Sequence, residues 1–184
     1  MKLNKSALLA FGLLILVCSL YRIWPDRPMG FAPQLAMAIF AGGVIRDKKW
    51  AFLLPLLSMF ISDALYQVLY LNGATQIPGF YEGQVSNYLL FGSMTIFGIM
   101  IRQISWTKII AASFAAPSAF FLISNFLVWI GGGGYQRPTL MQAYADGIPF
   151  YQMSILATLV FSISMFGIYF IVKDRSLFPK QQTA

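Results

Sequence analysis

The stretch from Trp50 to Leu71 decides the fold class, and it reads WAFLLPLLSMFISDALYQVLYL. Its side chains are almost all apolar, and Asp63 is the one carboxylate within it. About 20 apolar residues in a helix are enough to cross the roughly 30 Å hydrocarbon core of a bilayer. The stretch therefore predicts a transmembrane helix that carries one acid inside the membrane.

Five further apolar runs accompany this one in a chain of 184 residues, of which 58% are hydrophobic and 10% charged. The six runs are Ser6 to Trp24, Phe31 to Ile45, Trp50 to Leu71, Val85 to Ile101, Ile109 to Ile130 and Phe150 to Val172. A soluble domain is about 25% charged. We therefore predict an all-α, polytopic membrane protein, a bundle of six transmembrane helices in a single integral membrane domain over residues 1–184. The second and fourth runs are the weakest spans.

The basic residues sort to one side of this predicted bundle. Ten of the 13 Lys and Arg residues fall at the two termini or in the second and fourth connections, whereas Arg22, Arg27 and Arg137 fall in the other connections. Cytoplasmic loops carry an excess of Lys and Arg. Both termini are therefore predicted to be cytoplasmic, and this sorting explains the net charge of +7 without nucleic-acid binding.

Several classes of function are excluded by missing residue types. The chain has no His, one Cys and six acidic residues, so it lacks the parts of a His-based metal site, a Ser-His-Asp triad and a structural disulfide. An intramembrane aspartic protease needs two facing carboxyls, and only Asp63 lies deep within a span. No Gly-rich phosphate loop of an ATPase is present. We expect no enzyme activity, no metal and no cofactor.

Asp63 is the first candidate site residue. An Asp near the centre of a membrane helix costs about 2.5–3.5 kcal/mol to insert, so it is normally paired, protonated or placed beside a polar cavity. Tyr66 and Gln67 follow it by three and four residues and share its helix face. The third span runs outward, which puts this polar stripe in the outer half of the membrane.

Other polar residues have a similar predicted depth. Gln34, Asn125 and Gln152 lie near the outer ends of the second, fifth and sixth spans, and Trp129 shares the helix face of Asn125. The sequence therefore predicts an outward-facing pocket for a small amphipathic ligand. Its predicted lining residues are Gln34, Asp63, Tyr66, Gln67, Asn125, Trp129 and Gln152. Two structural interpretations stay open: the polar groups bond neighbouring helices, and the aromatic residues form an interfacial belt.

Small residues give a further pattern in the second run. Ala32 and Ala36 are separated by three residues, a spacing that lets helices approach closely. Such an approach serves either packing inside the bundle or contact with a partner protein. Ala32 and Ala36 are therefore candidate partner-contact residues.

Several short motifs carry a resemblance to a known family. They are Phe31-Ala32-Pro33 with Ala38 to Gly43, Pro55 to Ser58 leading to Ile61-Ser62-Asp63, Ser124 to Trp129, and Gly147 to Phe150. With these motifs, the chain from about Met29 to Phe161 resembles an uncharacterised bacterial family classed with membrane transport proteins. That family is similar to the substrate-binding S components of energy-coupling-factor (ECF) transporters.

The resemblance implies a multi-pass protein of the bacterial cytoplasmic (inner) membrane that captures a vitamin, a vitamin precursor or a similar micronutrient from outside. It also implies a separate transmembrane coupling subunit with paired ATPases, which drives release inward. S components often carry an Ala-x-x-x-Ala contact in the first helix. Here the clearest version is Ala32 to Ala36, in the second run.

Three functions remain open from the sequence. The first is a solute-binding protein of the uptake type, which the one-sided polar pocket favours. The alternative is a structural or scaffold protein of cell-envelope assembly, of the shape-determining type, in which Asp63 only ties helices together. The third is a proton-coupled carrier that uses protonation of Asp63.

Overall fold

Helices are the only regular secondary structure in residues 5–101, 103–131 and 139–173, the parts of the chain that the computed structural model describes. In chain order they are α1 (Lys5–Arg22), α2 (Gln34–Val44), α3 (Lys48–Leu71), α4 (Gln84–Ser93), α5 (Thr95–Ile99), α6 (Trp106–Gly131) and α7 (Leu140–Lys173). The all-α prediction is confirmed for these ranges. Each predicted apolar run overlaps a helix, and the fourth overlaps two.

Within the part of the chain that the structure describes, three helices are long and apolar enough to cross a membrane: α3, α6 and, within α7, the stretch from Leu140 to Ile171. With 24 residues and a rise of 1.5 Å each, α3 is about 36 Å long and exceeds the roughly 30 Å hydrocarbon core. Large apolar side chains such as Leu71, Val85 and Leu89 are exposed on the helices and loops around them. These features indicate a membrane protein with three candidate spans.

The second predicted span is a short helix at the centre of the bundle. With 11 residues, α2 is about 16 Å long, roughly half the thickness of the hydrocarbon core. It contacts α3, α5, α6 and α7, and its residues from Gln34 to Gly42 are all buried. By itself, α2 is therefore too short to cross the hydrocarbon core as the span predicted at Phe31 to Ile45. Burial on every side explains why the run is continuously apolar.

The fourth predicted span is interrupted at Met94, which separates α4 from the five-residue α5. Here α5 crosses α2 at glycines. A Cβ atom on Gly42 would overlap the carbonyl oxygen of Thr95, and one on Gly98 would overlap the carbonyl oxygen of Ile39. The small residues of the second run thus serve backbone packing inside the bundle.

The last helix begins earlier than its apolar run. Although Phe150 is the predicted start, α7 begins at Leu140 and continues through Pro149. Thr139 and Gln142 explain this start, because the Gln142 side chain accepts from the Thr139 backbone N–H at 2.9 Å and the Thr139 hydroxyl accepts from the Gln142 N–H at 3.2 Å. Such reciprocal bonds form a helix-initiating capping box. Residues 140–149, which lie between the fifth and sixth predicted runs, are therefore helical.

The basic residues between the second and third runs are exposed, and they lie where α2 connects to α3. Arg46, Lys48 and Lys49 are exposed there, and the Asp47 side chain caps α3 by accepting from the Lys49 backbone N–H at 3.0 Å. Some residues used in the charge sorting lie outside the described residues. They are Lys2, Arg102, Arg137, Arg175 and Lys180.

The glycine crossing yields a first prediction. Gly42→Ala places a methyl group against the backbone of α5, and we expect it to lower the free energy of unfolding by about 1–3 kcal/mol, as overpacking does. Gly12→Ala is the matched control, because no atom lies within 4 Å of a Cβ at this helical position. The control is expected to be neutral or to gain up to about 1 kcal/mol from helix propensity. Denaturant unfolding in mixed micelles measures both; equal stabilities would contradict the close crossing.

Candidate functional site

Asp63 is the centre of a buried polar network at the end of the bundle where α1 ends and α2 begins. Its side chain is 3% exposed, and its Oδ1 atom forms an ion pair with Nη1 of Arg22. Its Oδ2 atom accepts from Gln84 Nε2 at 2.8 Å and from the Tyr88 hydroxyl at 2.6 Å. Both carboxylate oxygens are therefore bonded, and the network joins α1, α3 and α4.

Arg22 is held from several directions. Its Nη1 atom also donates to the Ser62 hydroxyl at 2.6 Å, and its guanidinium carbon lies 5.7 Å from the centre of the Tyr66 ring, within the range of a cation–π interaction. The Tyr66 hydroxyl donates to the backbone carbonyl of Arg22 at 2.8 Å. Tyr66 thus contacts both the side chain and the backbone of Arg22 and fixes the end of α1.

The connection between α3 and α4 folds over Asp63. Gln67 Oε1 accepts from the backbone N–H groups of Gly79 at 3.1 Å and Phe80 at 3.3 Å, while Gln84 Nε2 donates to the Gly79 carbonyl at 3.1 Å. A Cβ atom on residue 79 would overlap the Asp63 carbonyl oxygen. Glycine is therefore required where this loop meets α3, and Gln67 anchors the loop.

A cavity of about 340 Å³ lies beside this network, with Arg22 in its wall. This volume is near the lower end of the range for small-molecule sites, about 300–1,000 Å³. Its polar lining residues are Arg22, Gln34, Asn87, Ser124, Asn125, Tyr151 and Ser154, and its aromatic walls include Phe91, Phe120, Phe121 and Phe150. Side chains from α1, α2, α4, α6 and α7 therefore converge on one cavity of mixed polar and aromatic character.

Two of the predicted site residues line the cavity, and both are amides. Gln34 is 4% exposed and donates from Nε2 to the carbonyl of Cys18 at 3.3 Å. Asn125 donates from Nδ2 to the carbonyl of Phe121 at 2.8 Å and packs directly against Gly147, where a Cβ atom would lie 2.6 Å from Asn125 Oδ1. Each side chain is thus oriented by its own contacts before any ligand is present.

The other predicted site residues have different positions. Asp63 lies behind Arg22, and Tyr66 and Gln67 belong to the network around it. Trp129 packs against Phe126, with ring centres 5.5 Å apart, and Gln152 is exposed. None of these five residues lines the cavity. The structure thus brings Gln34 and Asn125 together at one cavity. It places Asp63, Tyr66 and Gln67 in the polar network beside that cavity.

Sequence reasoning missed Arg22, Gln84 and Tyr88. Arg22 was assigned to an outer connection, yet it is the last residue of α1 and pairs with Asp63. The signal was available, because an acid within a membrane span needs a partner and Arg22 is a basic residue at a similar depth. Gln84 and Tyr88 lie four residues apart and so share a helix face, a second signal.

The two candidate partner-contact residues are both used inside the chain. Ala36 is fully buried within α2, and Ala32 is half-buried in the cavity wall. Their small side chains allow the neighbouring helices and the cavity to lie close to the backbone. Within the described ranges, no group of three or more Cys, Asp and Glu residues is placed to hold a metal ion.

Comparison with known proteins gives a family but no activity. A protein-family model matches residues 2–181, and its description is a family of unknown function, DUF6580. No curated protein and no solved structure matches the chain. The match covers nearly the whole chain and names no transporter, so any function has to rest on the arrangement of the chain's own residues.

The buried ion pair yields a second prediction. Asp63→Asn leaves the Arg22 charge without its partner, and we expect a loss of about 3 kcal/mol, the lower end for a buried pair, because the Arg22 side chain is 20% exposed. Arg22→Gln strands the carboxylate and should cost a similar amount. The double variant carries neither charge, so its loss should fall short of the sum by about 1–3 kcal/mol. Denaturant unfolding of the four proteins measures this coupling; additive losses would contradict the pairing.

Proposed function

The chain belongs to the DUF6580 family, whose function is unknown, and we propose from its own cavity that it is a membrane solute-binding protein of the uptake type. The ligand is a small micronutrient, such as a vitamin or a vitamin precursor. The observation that carries this proposal is the convergence of Gln34 and Asn125, from α2 and α6, on a cavity with aromatic walls. A concave, largely apolar site with a few oriented polar groups is typical of small-molecule binding.

The proposal includes a topology. In it, the bundle spans the bacterial inner membrane six times with both termini in the cytoplasm, and the short α2 and the interrupted α4 and α5 count as two of the spans. The excess of Lys and Arg at the two termini and in the second and fourth connections supports this orientation. The cavity lies at the end where α1 ends and α2 begins, so in this topology it opens to the exterior.

The proposal also includes a partner. The resemblance to ECF S components supports a coupling subunit with ATPases, which would supply the energy for release. Because Ala36 is buried and Ala32 lines the cavity, such a subunit would have to dock on another surface of the chain. The exposed apolar side chains of the helices are the surface left for lipid and for a membrane-embedded partner.

The third prediction tests ligand binding. A thermal-shift screen of the purified full chain against vitamins and their precursors should find at least one stabilising ligand. Asn125→Ala should weaken its binding about tenfold, because it removes a hydrogen-bonding amide from the cavity wall. Gln152→Ala is the matched control, since it removes an exposed amide outside the cavity, and its dissociation constant should stay unchanged. Absence of any ligand, or equal effects of the two variants, would contradict the proposed function.

A scaffold function in cell-envelope assembly is the second candidate, and one observation favours it. Both oxygens of Asp63 are bonded within the chain, which is how a residue that only ties helices together behaves. Site-specific crosslinking in cells separates the two candidates. Recovery of envelope-synthesis enzymes, together with no stabilisation by any compound in the screen, would support the scaffold function.

A further inference from the structure

Gln34 leaves a buried hydrogen-bond acceptor without a partner at the cavity. The backbone carbonyl of Cys18 can only accept, so the Gln34 atom that faces it at 3.3 Å must be Nε2. The other end of the amide, Oε1, is buried and has no hydrogen-bond partner among the described residues. Buried polar atoms are nearly always bonded, so a missing group is expected to donate to this oxygen.

Two neighbouring polar side chains in the cavity wall, Asn125 and Ser124, also present hydrogen-bond acceptors. Asn125 uses its Nδ2 group to donate to the Phe121 carbonyl at 2.8 Å, and the Ser124 hydroxyl donates to the same carbonyl at 3.3 Å. Both bonds leave an oxygen, Asn125 Oδ1 and Ser124 Oγ, free to accept, while the Asn125 NH2 group keeps one further N–H. The amides and this hydroxyl therefore offer acceptors, and a complementary ligand offers hydrogen-bond donors.

The charges around the cavity favour a neutral ligand. Arg22 is the one charged residue among the described residues that line it, and its charge is already balanced by Asp63. An anionic ligand would compete with Asp63 for the guanidinium, and a cationic ligand would face the guanidinium with no carboxylate in the cavity wall. A charge that is buried without a partner is costly. An uncharged donor avoids both penalties.

The aromatic walls favour a flat ligand. The rings of Phe121 and Tyr151 stack with a centre-to-centre distance of 4.6 Å and an interplanar angle of 22°, and Phe120 and Phe150 line the same cavity. Flat apolar surfaces pack well against flat rings. The volume of about 340 Å³ limits the ligand to a small molecule.

We propose that the cavity binds a small, uncharged, planar cyclic amide or urea, whose ring N–H group donates to Gln34 Oε1. The inference rests on the proposed function, because it names the ligand class of the same cavity. Arg22 complements the ligand's carbonyl group, since Nη1 is occupied by Asp63 and Ser62 while the guanidinium carries further N–H donors. The N–H group of the ligand thus pairs with the acceptor of Gln34, and its carbonyl group pairs with the remaining donors of Arg22.

A matched pair of probes forms the fourth prediction. 2-Benzimidazolinone is planar, uncharged and carries two N–H groups beside a carbonyl, and 1,3-dimethyl-2-benzimidazolinone has the same ring with both donors removed. Titration calorimetry on the purified full chain should give a dissociation constant at least tenfold lower for the first probe, which corresponds to 1.4 kcal/mol. Benzoate and benzylammonium, the charged probes, should bind more weakly than 2-benzimidazolinone.

Two variants show whether Gln34 supplies this selectivity. Gln34→Met keeps a side chain of similar length but removes the acceptor, so the ratio of dissociation constants for the matched pair should fall to about one. Gln152→Met changes an exposed amide outside the cavity and should retain the tenfold ratio. The comparison of probes on the unmodified protein needs no variant, so a Gln34→Met protein that fails to fold leaves the inference testable.

The outcomes separate this inference from the proposed function. If the screen finds a cavity ligand sensitive to Asn125→Ala, but the unmodified protein does not prefer the N–H probe, the inference is overturned and the solute-binding function stands. Retention of the tenfold ratio in Gln34→Met also overturns it. If neither the screen nor the probes reveal any ligand, both proposals are overturned, and water is the better explanation for the partner of Gln34 Oε1.

Discussion

The rest of this end of the bundle depends on the ion pair between Arg22 and Asp63. A carboxylate inside an apolar bundle must find compensation, and here a guanidinium, an amide and a phenol provide it. Because these partners come from α1 and α4, the need to neutralise one acid on α3 brings three helices into a defined arrangement. The loop containing Gly79 completes that arrangement by covering the acid.

The same ion pair gives the cavity its character. Arg22 is held by Asp63, Ser62 and Tyr66, so it enters the cavity wall as a rigid group rather than a mobile side chain. Its charge is balanced before any ligand is present. In the proposed function, the selectivity of the cavity then depends on the amides of Gln34 and Asn125, whose orientations are fixed by backbone carbonyls. The groups that tie the helices together thus lie next to the groups that we propose bind a ligand.

Periodicity and composition predicted the helical class and a helix at every apolar run, because the length of an apolar run is a local property of the chain. They could not predict that α2 is short and central, since full burial by neighbours and exposure to lipid both require apolar side chains. Gln34 and Asn125, which the depth argument grouped, line one cavity, but that argument could not tell which faces of α6 and α7 meet. Trp129 and Gln152 therefore do not line the cavity, although the depth argument grouped them with residues that do. The Arg22 pairing joins residues 41 positions apart, so its signal is the need of a buried acid for a partner and not a local pattern.

The central position of α2 has a consequence for the movement of a bound molecule across the bundle. Beyond Gln34, its residues Met37 and Ile39 are fully buried, and the glycine crossing with α5 brings two backbones together. A molecule seated above α2 therefore meets close-packed protein beneath it in the described part of the chain. In the proposed uptake function, release to the other side therefore requires the packed helices around α2 to rearrange.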